Sequence, residues 1–255
     1  MKSPSSIVIT GATGAIGSAL AEIYATPGIS LLLQGRNAIR LAEIAALCEA
    51  KGAQVSTYVL DLSDIHALNH WLDELKNREP LDLVIANAGL NSHTGPDGAM
   101  EHWTEVEALL AVNVRSTIAL IHAVVPGMRL RGNGQIAIIS SLAAYFGLPA
   151  APTYCASKAA LKAYGEALRG LLGPIGIQVN VVMPGYVESP MCRAMPGPKP
   201  FLWSASRAAQ KIRIGLEKDQ ARISFPFPLN LGTWFLSTTF PSFAQWILKW
   251  VGYGY

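Results

Sequence analysis

Two residues four positions apart, Tyr154 and Lys158 in "TYCASK", carry a phenol and an ammonium. The surrounding "AAPTYCASKAALKAYGEALRGLL" has the pattern of a helix, and positions i and i+4 share a helix face, about 5–6 Å apart at Cβ. A free phenol titrates near pH ~10, too high for a good proton shuttle at neutral pH. A neighbouring ammonium stabilises phenolate and lowers that value, so the pair is a candidate acid/base unit. An isolated match of this kind is usually a surface polar pair, so its meaning depends on the rest of the chain. The nearby Tyr145 has no lysine at i+4, where Pro149 stands.

A second group of residues suits a phosphate. "VITGATGAIG" places Gly11, Gly14 and Gly17 between an apolar run and a helical pattern. Glycines allow a tight turn, and the following helix N-terminus offers N–H groups and a positive dipole end to a pyrophosphate. The P-loop alternative fails because no Gly-Lys-Ser/Thr follows. Dinucleotide sites of this kind usually carry an acid about 20 residues on, for the ribose 2′-hydroxyl. This chain has no acid between Glu22 and Glu43; Gly35 stands at that place, followed by Arg36. A guanidinium suits a 2′-phosphate, so NADP is expected over NAD.

The elements that must hold these groups recur along the chain. Strand-length apolar runs begin at Ser6, Ser30, Gln54, Leu81, Gln135 and Ile177. Most are continuously apolar, as in strands buried on both faces. Helical patterns lie between them, at Ala15–Ala25, Ile39–Ala50, Ile65–Asn77, Glu101–Leu130 and Ala151–Leu172. This alternation predicts an α/β fold, a parallel sheet with helices on both faces, as one domain over residues 1–255.

From Ile7 to Ser189 the sequence resembles the short-chain dehydrogenase/reductase family, whose motifs appear here in the family's order. "TGATGAIG", Thr10 to Gly17, fits the cofactor turn; Asp61 and Leu62 fit the adenine-contacting pair; "NAG", Asn87 to Gly89, fits the motif ending the fourth strand. Asn113 fits the helix asparagine, Ser141 stands thirteen residues before Tyr154, and "YCASK" fits Y-x-A-S-K. "PGYVES" fits P-G-x-V-x-T, with Ser189 replacing threonine. The resemblance implies a doubly wound Rossmann fold with a mostly parallel seven-stranded sheet in the order 3-2-1-4-5-6-7. It implies a catalytic tetrad of Asn113, Ser141, Tyr154 and Lys158. Cofactor contacts would come from Gly11, Thr13, Ala15, Ile16, Gly17, Arg36, Asp61, Leu62, Asn87, Ala88, Gly89, Tyr154, Lys158, Pro184, Gly185, Val187 and Ser189. Hydride would pass between nicotinamide and a carbonyl or alcohol carbon while Tyr154 handles the proton. Ser141 would polarise the carbonyl, Lys158 would also hold the nicotinamide ribose, and Asn113 would hold a relay water. Ser140 competes with Ser141, and its register relative to Tyr154 disfavours it. The helices Glu101–Leu130 and Ala151–Leu172 would form the usual dimer surface.

A net charge of +3 with scattered basic residues argues against a nucleic-acid partner. Cys48, Cys155 and Cys192 are far apart and odd in number, which predicts neither a disulfide framework nor a metal site. The bare His66 and His70 pair predicts no metal either. A cytoplasmic homodimer or homotetramer acting on a small molecule is expected; the N-terminal stretch lacks a secretory pattern. Residues 190–220 are expected to cover the substrate, with Phe201 and Trp203 as an apolar wall, favouring a bulky hydrophobic carbonyl compound. Residues 226–255 form an aromatic tail with no charge between Ile223 and Leu248. Either it packs on the pocket or a neighbouring subunit, or "PSFAQWILKWVGYGY" is an amphipathic helix at the inner face of a membrane. A non-catalytic dinucleotide sensor is disfavoured by the complete tetrad, and a nucleotide-sugar epimerase or dehydratase by the chain length.

Overall fold

The computed structural model describes residues 4–78, 80–95, 99–195 and 197–252. Pro196 of the expected covering segment and residues 253–255 of the tail lie outside them. Seven strands form one sheet: β1 Ser6–Ile9, β2 Ser30–Gly35, β3 Gln54–Val59, β4 Leu83–Ala86, β5 Gly134–Ile139, β6 Ile177–Pro184 and β7 Arg222–Phe225. All neighbours pair in parallel, in the order β3-β2-β1-β4-β5-β6-β7. The order reverses between β1 and β4, which leaves a crevice at their carboxyl ends, where open α/β sheets bind ligands.

Continuous apolar runs make these strands because alternate residues feed two separate cores. Ile7 and Ile9 of β1, Leu31 and Leu33 of β2 and Ile85 of β4 point to one side. There they meet Leu20 of helix α1 (Ala15–Tyr24), Ile44 of α2 (Ala38–Ala50) and Ile212 of α8 (Ala205–Glu217). Val8, Leu32 and Val84 point to the other side, against Leu68 of α3 (Ile65–Lys76), Leu120 of α5 (Ser116–Arg131) and Leu161 of α6 (Pro152–Leu172).

The helix expected over Glu101–Leu130 is instead α4 (Trp103–Leu110) running into α5 through one wide turn, Ala111–Arg115, of π type. Such turns insert one extra residue and are frequent at functional sites; Asn113 lies in this one. Three further helices follow the sheet's later strands: α7 (Pro190–Ala194), α9 (Leu229–Thr238) and α10 (Pro241–Trp250). The stretch Trp103–Arg131 is long and apolar enough to cross a membrane, but it lies against the sheet with half of its most apolar part buried.

Candidate active site

A cleft of about 700 Å3 opens at the carboxyl ends of the strands. At one end lies the glycine turn. Gly11 has φ +63°, and a Cβ there would sit 2.8 Å from Ala88 Cα, so only glycine fits between the ends of β1 and β4. A Cβ on Gly17 would lie 2.3 Å from the Gly11 oxygen, so α1 can reach the turn only because this residue has no side chain. The loop is held by two neighbours. Gln34 Oε1 accepts from Gly11 N–H at 3.0 Å, and Thr10 Oγ1 accepts from Asn87 and Ala88 N–H at 3.0 Å each. Asn87 returns its amide hydrogens to the Thr10 and Gly11 carbonyls. Helix α1 then starts at Gly14 with no side-chain cap, so its first N–H groups face the cleft beside Thr13, Ala15 and Ile16. This glycine cradle with an uncapped helix end fits a dinucleotide pyrophosphate.

Farther along, Arg36 faces Asp61 at 3.5 Å, both side chains well exposed. Asp61 also accepts from Ser63 N–H and Oγ–H, and these bonds with Arg36 hold its carboxyl below the usual range against the opposing effect of burial. At Gly35 a Cβ would fall 2.7 Å from Thr13 Cγ2. A side chain at position 35 would therefore run into Thr13.

At the middle of the cleft stand Ser141, Tyr154 and Lys158. Ser141 follows β5, and its hydroxyl caps the next turn, accepting from Ala143 N–H at 3.1 Å. Ser140 points the other way, donating to the Lys158 carbonyl inside the protein. Lys158 Nζ donates to the Ile139 carbonyl at 2.9 Å and lies 5.6 Å from the centre of the Tyr154 ring. The expected lowering of the Tyr154 pKa by Lys158 is not found. Burial pushes the phenol up to about 12, a hydrogen bond with Ser141 opposes that, and burial pushes Lys158 down to about 8. The reason is desolvation, which disfavours both charged forms in an enclosed site.

Asn113 is fully buried beneath this group and does not border the cleft; nor does Gly17. Both amide hydrogens of Asn113 are committed, to the Leu90 carbonyl and to Ser157 Oγ, while its Oδ1 accepts from Leu90 N–H at 2.7 Å. A water held by this residue has only its oxygen or main chain to use. The remaining expected contacts, Leu62, Gly89, Pro184, Gly185, Val187 and Ser189, border the cleft. Ser189 caps α7 by accepting from Cys192 N–H.

The far end is apolar. Leu142, Phe146, Tyr186, Met191 and Met195 meet Leu229, Leu236, Ile247, Leu248 and Val251. The expected wall of Phe201 and Trp203 is therefore corrected. Trp203 stacks on Phe225 at 5.0 Å beneath the Arg207 guanidinium, Phe201 is half-exposed, and neither borders the cleft. Among the described residues of 190–220, only the part around α7 faces the cleft, while α8 packs on α1 behind the sheet. Sequence reasoning missed Gln34; it expected the tail at the pocket without naming which residues of α9 and α10 line it. The tail lies along the pocket, one of the two placements expected for it. The inner side of α9–α10 borders the cleft, and α10 is a helix whose Phe243, Trp246 and Trp250 face outward, the last two 61% and 80% exposed.

The parallel sheet, the glycine cradle at its switch point and the Ser-Tyr-Lys group define a dinucleotide-dependent oxidoreductase. Residues 5–198 match the family model described as short chain dehydrogenase, and the chain belongs to that family. It is 32% identical over 227 residues to an uncharacterized oxidoreductase of Myxococcus xanthus, covering 89% of each chain. Among solved structures, it is similar to a short-chain dehydrogenase from Sphingobium yanoikuyae in complex with NADPH, with TM-score 0.81, 26% identity and 88% of each chain covered. A 3-ketoacyl-ACP reductase from Sinorhizobium meliloti gives TM-score 0.76 at 28% identity, covering 89% of this chain and 99% of that one. The protein is an NAD(P)-dependent dehydrogenase/reductase.

Proposed function

We propose that the protein is an NADP(H)-dependent reductase of bulky, apolar ketones or aldehydes. The observation that carries the substrate class is the apolar far end of the cleft, which begins directly at Ser141 and Tyr154. NADP over NAD is supported by Arg36, by Thr13 over Gly35, and by NADPH in the solved relative from Sphingobium yanoikuyae. When bound, the dinucleotide supplies a hydride to the carbonyl carbon. Tyr154 would give its proton to the carbonyl oxygen, Ser141 would orient that oxygen, and Lys158 would hold the nicotinamide ribose. Thr13, Ala15, Ile16, Asp61, Leu62 and the Asn87–Gly89 turn hold the rest of the cofactor. In this reading the protein is a cytoplasmic homodimer or homotetramer, and the outward aromatic face of α10 meets either a neighbouring subunit or the inner face of a membrane. The test is a panel of carbonyl compounds of increasing size, read by NADPH oxidation. Large aryl or long-chain ketones should be turned over with higher kcat/KM than acetone-sized ones. A preference for small or charged carbonyls would overturn the substrate class.

A further inference from the structure

Helix α6, which carries Tyr154 and Lys158, starts without a cap of its own. Ala151 stands at the cap, Pro152 follows, and the first turn holds no acid. The acceptor comes from Glu101, which precedes α4. Its Oε2 accepts from Thr153 Oγ1–H at 2.5 Å and from Thr153 N–H at 3.3 Å. Its Oε1 accepts from Ser92 Oγ–H at 2.5 Å. Glu101 and Ser92 are both buried, 9% and 2% exposed. The carboxylate faces the N-terminal end of the helix and accepts from three donors at once.

The arrangement is one of two. Ser92 lies two residues past Leu90, the residue held by Asn113, and Asn113 also holds Ser157. The stretch Leu90–Ser92 is thus tied twice to α6, at Thr153 through Glu101 and at Ser157 through Asn113. Thr153 immediately precedes Tyr154, and Ser157 immediately precedes Lys158. The turn that presents the phenol and the amine is bracketed on both sides.

We propose that Glu101 is a positioning residue for Tyr154, a second brace that works alongside Asn113. The proposal rests on Tyr154 being the proton donor of the reaction proposed above. Truncating Glu101 strands the Thr153 N–H, which has no other acceptor within the first turn, whereas the two hydroxyls can rotate. The first turn of α6 then loosens beside the phenol. A misplacement of roughly 1 Å costs on the order of 100-fold in rate.

The experiment compares full-length wild type with Glu101→Ala, Glu101→Gln, Ser92→Ala and Thr153→Val, using 1-phenyl-1,2-propanedione and NADPH as probes. Glu101→Ala should lower kcat on the order of 100-fold, with the KM for the diketone and the Kd for NADPH nearly unchanged. Amide hydrogen exchange at Thr153, Tyr154 and Cys155 should quicken by about tenfold or more, with the strands still protected. Glu101→Gln should restore most of both. Its Oε1 can serve Thr153, and its amide can donate to Ser92 Oγ, which switches from donor to acceptor. Unchanged kcat in Glu101→Ala overturns the proposal, as does a matching loss of NADPH affinity, which would mark a general scaffold role. Glu101→Gln behaving like Ala also overturns it, because charge rather than placement would then be at work. Should Glu101→Ala fail to fold, Ser92→Ala and Thr153→Val each remove part of the brace and should give intermediate losses of kcat; full activity in both overturns it. A wild type that turns over no carbonyl probe would refute the proposed function, while the exchange measurement would still decide on the brace.

Discussion

Lys158 Nζ donates to the carbonyl oxygen of Ile139 at 2.9 Å, at the closing residue of β5. The amine is therefore turned toward the sheet, and it is almost wholly buried. The protein carries an ammonium where desolvation works against it, and this has a measurable signature.

Burial lowers the Lys158 pKa from its ordinary 10.5 to about 8. The unfolded chain then binds more protons than the folded one between those values, so stability rises as pH climbs through that window. The penalty is full below pH ~8 and amounts to up to roughly 3 kcal/mol. Lys158→Met removes it. The gain in thermal midpoint of Lys158→Met over wild type should be largest near pH 7 and shrink toward pH 10. A difference independent of pH would contradict the buried-ammonium reading.

Tyr154→Phe removes one hydroxyl from an enclosed site and leaves the ring in place. Turnover should drop by about 10²–10⁴, the usual contribution of a positioned general acid. NADPH affinity, followed by nicotinamide fluorescence, should change little. Retention of most activity would show that another group donates the proton.

Arg36→Ala should weaken NADPH binding by roughly 10- to 100-fold, the value of a hydrogen bond to a charged group, and leave NADH binding nearly unchanged. Because the Arg36 side chain is well exposed, the loss should shrink in high salt, which screens exposed charges. Equal losses for the two cofactors would remove Arg36 from the 2′-phosphate site.

Deleting residues 241–255 separates two partners for the outer face of α10. If that face meets a membrane, co-sedimentation with vesicles of mixed zwitterionic and anionic phospholipid should vanish while oligomer mass stays the same. If it meets another subunit, the mass or the thermal midpoint should fall, and the intact protein should not sediment with vesicles at all.

The cofactor half of the site was legible in the sequence, because tight turns and helix ends leave glycines, and strands buried on both faces leave unbroken apolar runs. The order of the strands came with the motifs. The substrate half was legible only in outline, as a covering segment and an aromatic tail at the pocket, not residue by residue. Trp203 looked like a wall residue from its type alone, yet its ring is spent on Phe225 and Arg207. The wide turn at Asn113 has no residue-type signature, since one extra residue in a helix leaves its composition unchanged. Glu101 was invisible as a partner of Thr153 because nothing local links residues so far apart. The Tyr154 pKa was misjudged because spacing reveals a nearby charge but not the loss of water around it.

The far end of the cleft is built from two parts of the chain, one inside the family match and one beyond it. The cradle and the Ser-Tyr-Lys group lie within the residues that match the family model, whereas Leu229, Leu236, Ile247 and Leu248 lie beyond residue 198. Substitutions in α9 and α10 can therefore reshape what enters the cleft without disturbing the cradle or the tyrosine. A terminal segment of this kind works like an interchangeable tool head on a fixed handle. Grafting α9 and α10 onto another member of the family should therefore shift which substrates it accepts while its hydride chemistry stays the same.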